Sequence, residues 1–272
     1  HAEEVHSLNE EIADINKTLA AAQIKADNWD LVDAAMADKT RSNYAPWTGG
    51  TKEYKLPFFN TKNMEYLAAG NFDGNVTELG LDLSSATTLQ SMFSQKASLR
   101  RIELRNTDKI TSLTSGFSNS TALREVLLGN LTSCTSLKDT FYGDTSLEKV
   151  TFGENSKIID FSHAFSGCIA LREINGEINL IVSRTVVGMF ENCTSLEKVS
   201  FAENSIYGDL DLGPCKQLSR ESMLKIFDDT VLNSDRKLTL SRYAFDNNFP
   251  SADEQTEIKN KLAEKKWSLV LV

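Results

Sequence analysis

Four cysteines (Cys134, Cys168, Cys193 and Cys215), three histidines and no CxxC pair leave little material for a disulfide scaffold, a zinc site or a redox loop in a chain of 272 residues. A glycine-rich phosphate loop is missing. So are a nucleophile at recognisable spacing from a base and a carboxylate pair that stands out from scattered surface acids. No catalytic residue, no cofactor site and no metal site is therefore expected, and the chain reads as one that is not an enzyme. No run of about 18 apolar residues occurs, so a membrane-spanning helix is not expected either. The chain opens His1-Ala2-Glu3-Glu4 without a Met or an apolar leader, as a processed or trimmed chain does, and that opening says nothing about compartment.

Excess positive charge is also absent. The formal net charge is −9. Residues 1–40 hold nine acidic and three basic side chains, a net of −6, which leaves −3 for everything after them. The larger part is nearly neutral and carries no basic face to neutralise phosphates, which argues against nucleic acid as a partner. With 40% hydrophobic and 25% charged residues, the composition is that of a globular chain able to bury a sizeable core.

The sequence is rich in repetition. Segments beginning SMFSQKASLRRIEL, SGFSNSTALREVLL, DTFYGDTSLEKVTF, HAFSGCIALREING and GMFENCTSLEKVSF place Phe93, Phe117, Phe141, Phe165 and Phe190 at spacings of 24, 24, 24 and 25. Six residues after each comes Leu99, Leu123, Leu147, Leu171 or Leu196. Three further on stands Ile102, Val126, Val150, Ile174 or Val199. Two more residues along lies Leu104, Leu128, Phe152 or Phe201, with Gly176 the exception, and four before each Phe stands Leu89, Leu113, Leu137, Phe161 or Val186. A coil this short cannot bury its apolar side alone, but stacked coils share one continuous core. The I-x-L step alternates with period two, which predicts a short strand pairing in parallel with its neighbours. A degenerate coil precedes the five, with Val76, Leu79 and Leu81 in the strand places. Another follows, where LDLGPCKQL from Leu210 echoes LDLSSATTL from Leu81.

FENCTSLEKVSF, FSGCIALREI and FYGDTSLEKVTF resemble the BspA-like class of leucine-rich repeat, with a pattern of roughly F-x-x-C-x-x-L-x-x-I-x-L. The match runs over about residues 56–240 and departs at the cysteine place, which holds Lys96, Ser120 and Asp144 in three copies. The resemblance implies an α/β fold, a right-handed, β-rich leucine-rich-repeat solenoid of about seven coils. It also implies a bacterial surface or secreted protein, its leader removed, used for adhesion or recognition.

The ends differ from the middle. Val5, Leu8, Ile12, Ile15, Leu19, Ala22, Ala26 and Trp29 follow heptad spacing, which predicts a helix that self-associates as a coiled coil through residues 5–29 or packs on the solenoid. The expected division is a helical arm over 1–40, a cap or linker over 41–59, the solenoid over 60–240 and a C-terminal α/β cap over 241–272. In the last part, Ser251 and Glu254 form a capping box that opens a helix to about Lys265, and Trp267 begins a closing strand.

The phase also sorts the reactive-looking residues. Cys168 and Cys193 share one place, Cys134 and Cys215 another, and all four read as buried free thiols, with a disulfide between Cys168 and Cys193 on adjacent coils as the alternative. His163 occupies a place that varies among Ser91, Ser115, Asp139 and Gly188, and reads as solvent-facing and incidental. The five N-x-S/T triplets, at Asn16, Asn75, Asn119, Asn130 and Asn192, read as by-products of a Ser/Thr/Asn-rich repeat.

Function in such a fold is expected on the outward strand positions: Arg101, Glu103 and Arg105, then Glu125 and Leu127, Lys149 and Thr151, Glu173 and Asn175, and Lys198 and Ser200. The charged members are the candidate binding surface. Mixed in sign and free of aromatics, they suit a protein or host-cell-surface macromolecule as partner. The alternative is a carbohydrate-binding protein using Tyr44, Trp47 or Tyr54 of the cap, or the loop tyrosines Tyr142 and Tyr207.

Overall fold

In a computed structural model of the chain, the structure describes residues 59–60, 78–83, 86–233 and 235–272. Seven strands form one parallel sheet in sequence order: β1 (Phe59–Asn60), β2 (Glu78–Asp82), β3 (Arg101–Arg105), β4 (Glu125–Leu127), β5 (Lys149–Thr151), β6 (Glu173–Ile178) and β7 (Lys198–Phe201). The register follows the repeat: Leu79 faces Ile102, Ile102 faces Val126, and Val126 faces Val150. The predicted strands and their parallel pairing are therefore present, and the expected solenoid is the fold.

Inside, each coil contributes the same side chains to a shared column. Phe93, Phe117, Phe141, Phe165 and Phe190 stack ring on ring, with centroids 5.4, 5.3, 5.4 and 5.7 Å apart and planes within 13° of parallel. All five are buried, as are the Leu and Ile/Val columns beside them. A second parallel ladder runs along the stack as single-residue bridges, Thr88 to Ser112 to Ser136 to Asp160 to Thr185. Ser and Thr side chains dominate this column, so no apolar alternation marks it in the sequence.

Two columns of positive φ explain why certain places vary so freely. Ser91, Ser115, Asp139, His163 and Gly188 all have φ between 52° and 62°, and Gln95, Asn119, Gly143, Gly167 and Asn192 have φ between 59° and 79°. Left-handed backbone favours Gly and Asn. Asn119 and Asn192 therefore stand in their N-x-T triplets because the turn requires that conformation.

Gly176 breaks the inward column for a backbone reason. With φ of 92° it opens a bulge in β6, the register shifts between Glu173 and Glu177, and Ile178 pairs with Phe201 as the buried replacement. A Cβ at Gly176 would lie 2.0 Å from the carbonyl oxygen of Phe152. Gly176→Ala is expected to destabilise the protein by about 2 kcal/mol or more, measured by urea unfolding, because strain and overlap add. An unchanged midpoint would show that the bulge relaxes freely.

The sheet does not continue past β7. The echo at Leu210 does give a strand, β8 (Leu210–Leu212), but it pairs with β9 (Arg236–Leu240), and β9 with β10 (Trp267–Leu271), in a separate three-stranded sheet. Helix α1 (Arg220–Asp229) takes the open edge instead. Ser219 N–H donates to Glu197 O at 2.9 Å, and Val199 N–H donates to Ser222 Oγ at 3.2 Å. An exposed strand edge is thereby covered.

Two further helices, α2 (Arg242–Asn248) and α3 (Ala252–Glu264), finish the chain; α2 was not foreseen from the sequence. The Ser251 hydroxyl caps α3 by accepting from Glu254 N–H, as its capping box predicts. Arg220 pairs with Glu254 and lies 4.6 Å over the Phe249 ring, which ties the helices together. Trp267 is buried in the common core and donates from Nε1 to Val231 O at 2.8 Å.

Candidate recognition surface

Strand alternation turns Ile102, Val126, Val150, Ile174 and Val199 inward, so their neighbours must face out. Arg101, Glu103, Arg105, Glu125, Lys149, Glu173 and Lys198 accordingly share one face, half-buried or exposed. At the leading strand position the register sets Arg101 beside Glu125, Glu125 beside Lys149, Lys149 beside Glu173, and Glu173 beside Lys198. The sign alternates at every step across five strands.

These charges hold one another. Arg101 Nε donates to Glu125 Oε2 at 2.8 Å and its Nη2 to Glu103 Oε2 at 3.3 Å; Arg105 Nη2 donates to Glu103 Oε1 at 3.1 Å. Lys149 Nζ lies 3.4 Å from Glu173 Oε2, and Lys198 Nζ 4.0 Å from Glu173 Oε1. Partial burial pulls the Arg101 guanidinium down, but hydrogen bonds and charge from Glu125 and Glu103 outweigh it, so its pKa is raised. The outward apolar member, Leu127, is half-buried within this frame.

Sequence reasoning missed a flanking pair. Arg124 Nη1 donates to Glu148 Oε1 at 3.0 Å, one place before the outward row, and both side chains are exposed. The signal was present: Arg100, Arg124, Glu148, Arg172 and Glu197 recur at one phase of the repeat.

The residues that resembled reactive sites do not form one. All four cysteines are free and buried. Burial pushes the Cys193 thiol up to about 12 and raises Cys134, Cys168 and Cys215, so none is a thiolate nucleophile. Cys168 Sγ donates to Phe141 O at 3.0 Å and Cys193 Sγ to Phe165 O at 3.1 Å, each reaching back to the preceding coil. Ser120 does the same from the equivalent place, its Oγ donating to Phe93 O at 2.6 Å. Asp144 completes the column as a buried carboxyl: Oδ1 accepts from Ser120 N–H at 2.7 Å, while Oδ2 is buried without a partner.

His163 is only partly solvent-facing, with its ring laid against Gly188 of the next coil and Nδ1 3.6 Å from Glu191 Oε2. Its place varies because the turn is left-handed, and exposure is only part of the reason. Tyr142 and Tyr207 are exposed on loops. Tyr44, Trp47, Tyr54 and the heptad seam of residues 5–29 lie outside the described residues. No group of three or more His, Cys, Asp or Glu side chains suited to a metal ion occurs among the described residues, and no described helix is long and apolar enough to cross a membrane.

The family model described as BspA type leucine rich repeat region matches the chain in six copies, over residues 58–172 and 87–209. No curated protein and no solved structure matches.

Proposed function

This chain belongs to the BspA-type leucine-rich-repeat family, and on that premise we propose that it is a non-enzymatic surface or secreted protein whose strand face recognises another protein in adhesion or assembly. The observation that carries this reading is the row of alternating charges running from Arg101 to Lys198, fixed in place by cross-strand pairs. Exposed ion pairs of this kind contribute about 0–1 kcal/mol each, so stability is a weak reason for the row. Pre-positioned charges do lower the ordering cost of meeting a complementary surface, and they steer encounter and reject wrong partners. Arg105 and Lys198, the most exposed cations of the set, with side chains 59% and 64% accessible, suit first contact.

Capture from cell-surface extracts tests the reading. Wild-type chain is expected to retain a protein partner, less so as salt rises. The double reversal Arg101→Glu with Arg105→Glu is expected to abolish retention, and unaltered retention would remove this face from the account.

A further inference from the structure

The second ladder ends on an open edge. In each coil, amides at alternate residues donate to carbonyls of the next: Phe161 to Thr185 at 3.0 Å, His163 to Val187 at 2.8 Å and Phe165 to Met189 at 3.0 Å. The corresponding amides of the last coil begin with Val186 and Gly188, and neither donates to any group among the described residues. In the reverse sense, Arg184 N–H donates to Ile159 O at 2.9 Å, while the equivalent carbonyl of Arg184 receives nothing among those residues. The chain that would supply the next rung has turned away into the three-stranded sheet.

A groove of about 650 Å³ lies along this edge, between Ser183–Gly188 on one side and Tyr207–Asp211 with Arg236–Lys237 on the other. Its rim is apolar where the edge is open, with Val187 66% and Tyr207 40% exposed. The groove lining as a whole carries one net positive charge. Of its two carboxylates, Asp209 Oδ1 already accepts from Lys237 N–H at 2.9 Å and Asp211 Oδ1 from Gly213 N–H at 2.8 Å. Against them stand Arg184, Arg236 and Lys237, and Arg236 Nε is buried without a hydrogen-bond partner.

We propose that this groove docks an extended, acidic peptide segment of a partner protein, which adds one strand to the ladder. Its carbonyls accept from Val186 and Gly188 N–H, its own N–H donates to Arg184 O, and an Asp or Glu side chain meets Arg236. The unmet backbone groups fall at alternate residues, a spacing that another extended chain matches and a sugar does not. The unsatisfied guanidinium nitrogen selects a carboxylate over a neutral side chain. This site is separate from the strand face of β3 to β7 and does not rest on that face being functional.

Selection of a phage-displayed random dodecapeptide library on the 272-residue chain, followed by calorimetry with the enriched peptide, tests the proposal. Enriched sequences are expected to combine an acidic residue with alternating apolar ones, and the bound peptide to slow amide exchange at Val186 and Gly188. Arg236→Gln is expected to weaken binding by at least about tenfold. Lys237→Glu, on an exposed side chain, should weaken it in the same direction with an unchanged unfolding midpoint. The reversal of Arg101 and Arg105 should leave it intact. Failure to enrich acidic peptides, wild-type affinity in both groove variants, or unchanged exchange at Val186 and Gly188 would overturn the proposal. An oligosaccharide hit lost on Tyr207→Ala in place of any peptide would overturn it in favour of a sugar site, and self-association lost on Arg236→Gln in favour of a second copy.

Discussion

Asp144→Asn is expected to stabilise the protein by several kcal/mol at pH 8.5 and to change little near pH 4. Burial raises the Asp144 carboxyl to about 8 from its ordinary 3.8, and the one hydrogen bond it accepts, from Ser120 N–H, only partly opposes that. A carboxyl whose folded pKa lies above its unfolded value binds its proton more tightly in the folded state. Below about pH 4 both states are protonated and the group is neutral in its effect. Between about pH 4 and pH 8 the unfolded state ionises first, so stability falls as pH rises, and above pH 8 the loss is constant. A shift of this size corresponds to a loss on the order of 5 kcal/mol.

The repeat gives the structural reason. Ser120, Cys168 and Cys193 each use this place to donate to a Phe carbonyl one coil back, at Phe93, Phe141 and Phe165. Asp144 stands at the same phase with Oδ2 buried and unpartnered, and only a protonated carboxyl has a donor to offer a carbonyl there. Asparagine supplies that donor at every pH while keeping an acceptor for Ser120 N–H. Urea unfolding of both proteins at pH 4 and pH 8.5 checks this, with curves that diverge as pH rises. Parallel curves would mean that Asp144 titrates near its ordinary value.

Phe141→Ala is the second large effect, a loss of about 4 kcal/mol or more. A buried Phe→Ala change costs about 3–5 kcal/mol through lost transfer energy and the cavity left behind. Stacked aromatic pairs add about 0.5–1.5 kcal/mol each, and Phe141 has two ring neighbours, Phe117 at 5.3 Å and Phe165 at 5.4 Å. Phe190, which ends the stack and has Phe165 as its ring neighbour among the described residues, should lose less on the same change. Because each coil touches only its neighbours, the mid-stack cavity should also uncouple the two halves, so the unfolding transition should broaden. Equal costs at Phe190 and Phe141 would argue against the stack as a cooperative element.

What could be read from the sequence was whatever the repeat forces into phase. The Phe, Leu and Ile/Val columns, the parallel register and the burial of Cys168 and Cys193 all follow from stacking like on like. The second ladder escaped notice because its Ser and Thr bridges leave no hydrophobic period. Gly176 looked like a lapse in the pattern, but the bulge it opens lets Ile178 take the inward place two residues later. The strand at Leu210 was legible, but its partner was not, since a strand's own residues do not say which sheet it joins. Alternation placed Arg101, Glu125, Lys149, Glu173 and Lys198 on one face, whereas their mutual pairing needed the register between strands. The groove beside Val186 has no sequence signal beyond Tyr207, because its open groups are backbone.

The claim that the strand face is the recognition surface is tested most directly by site-specific photo-cross-linking. A photoreactive side chain at Leu127, amid the charged face, and one at Lys138, exposed on the second ladder, are each incubated with cell-surface extract and irradiated. The account predicts a discrete protein adduct from Leu127, absent from Lys138 and competed by unlabelled wild-type chain. An adduct from Lys138 alone, or none from Leu127, would contradict it.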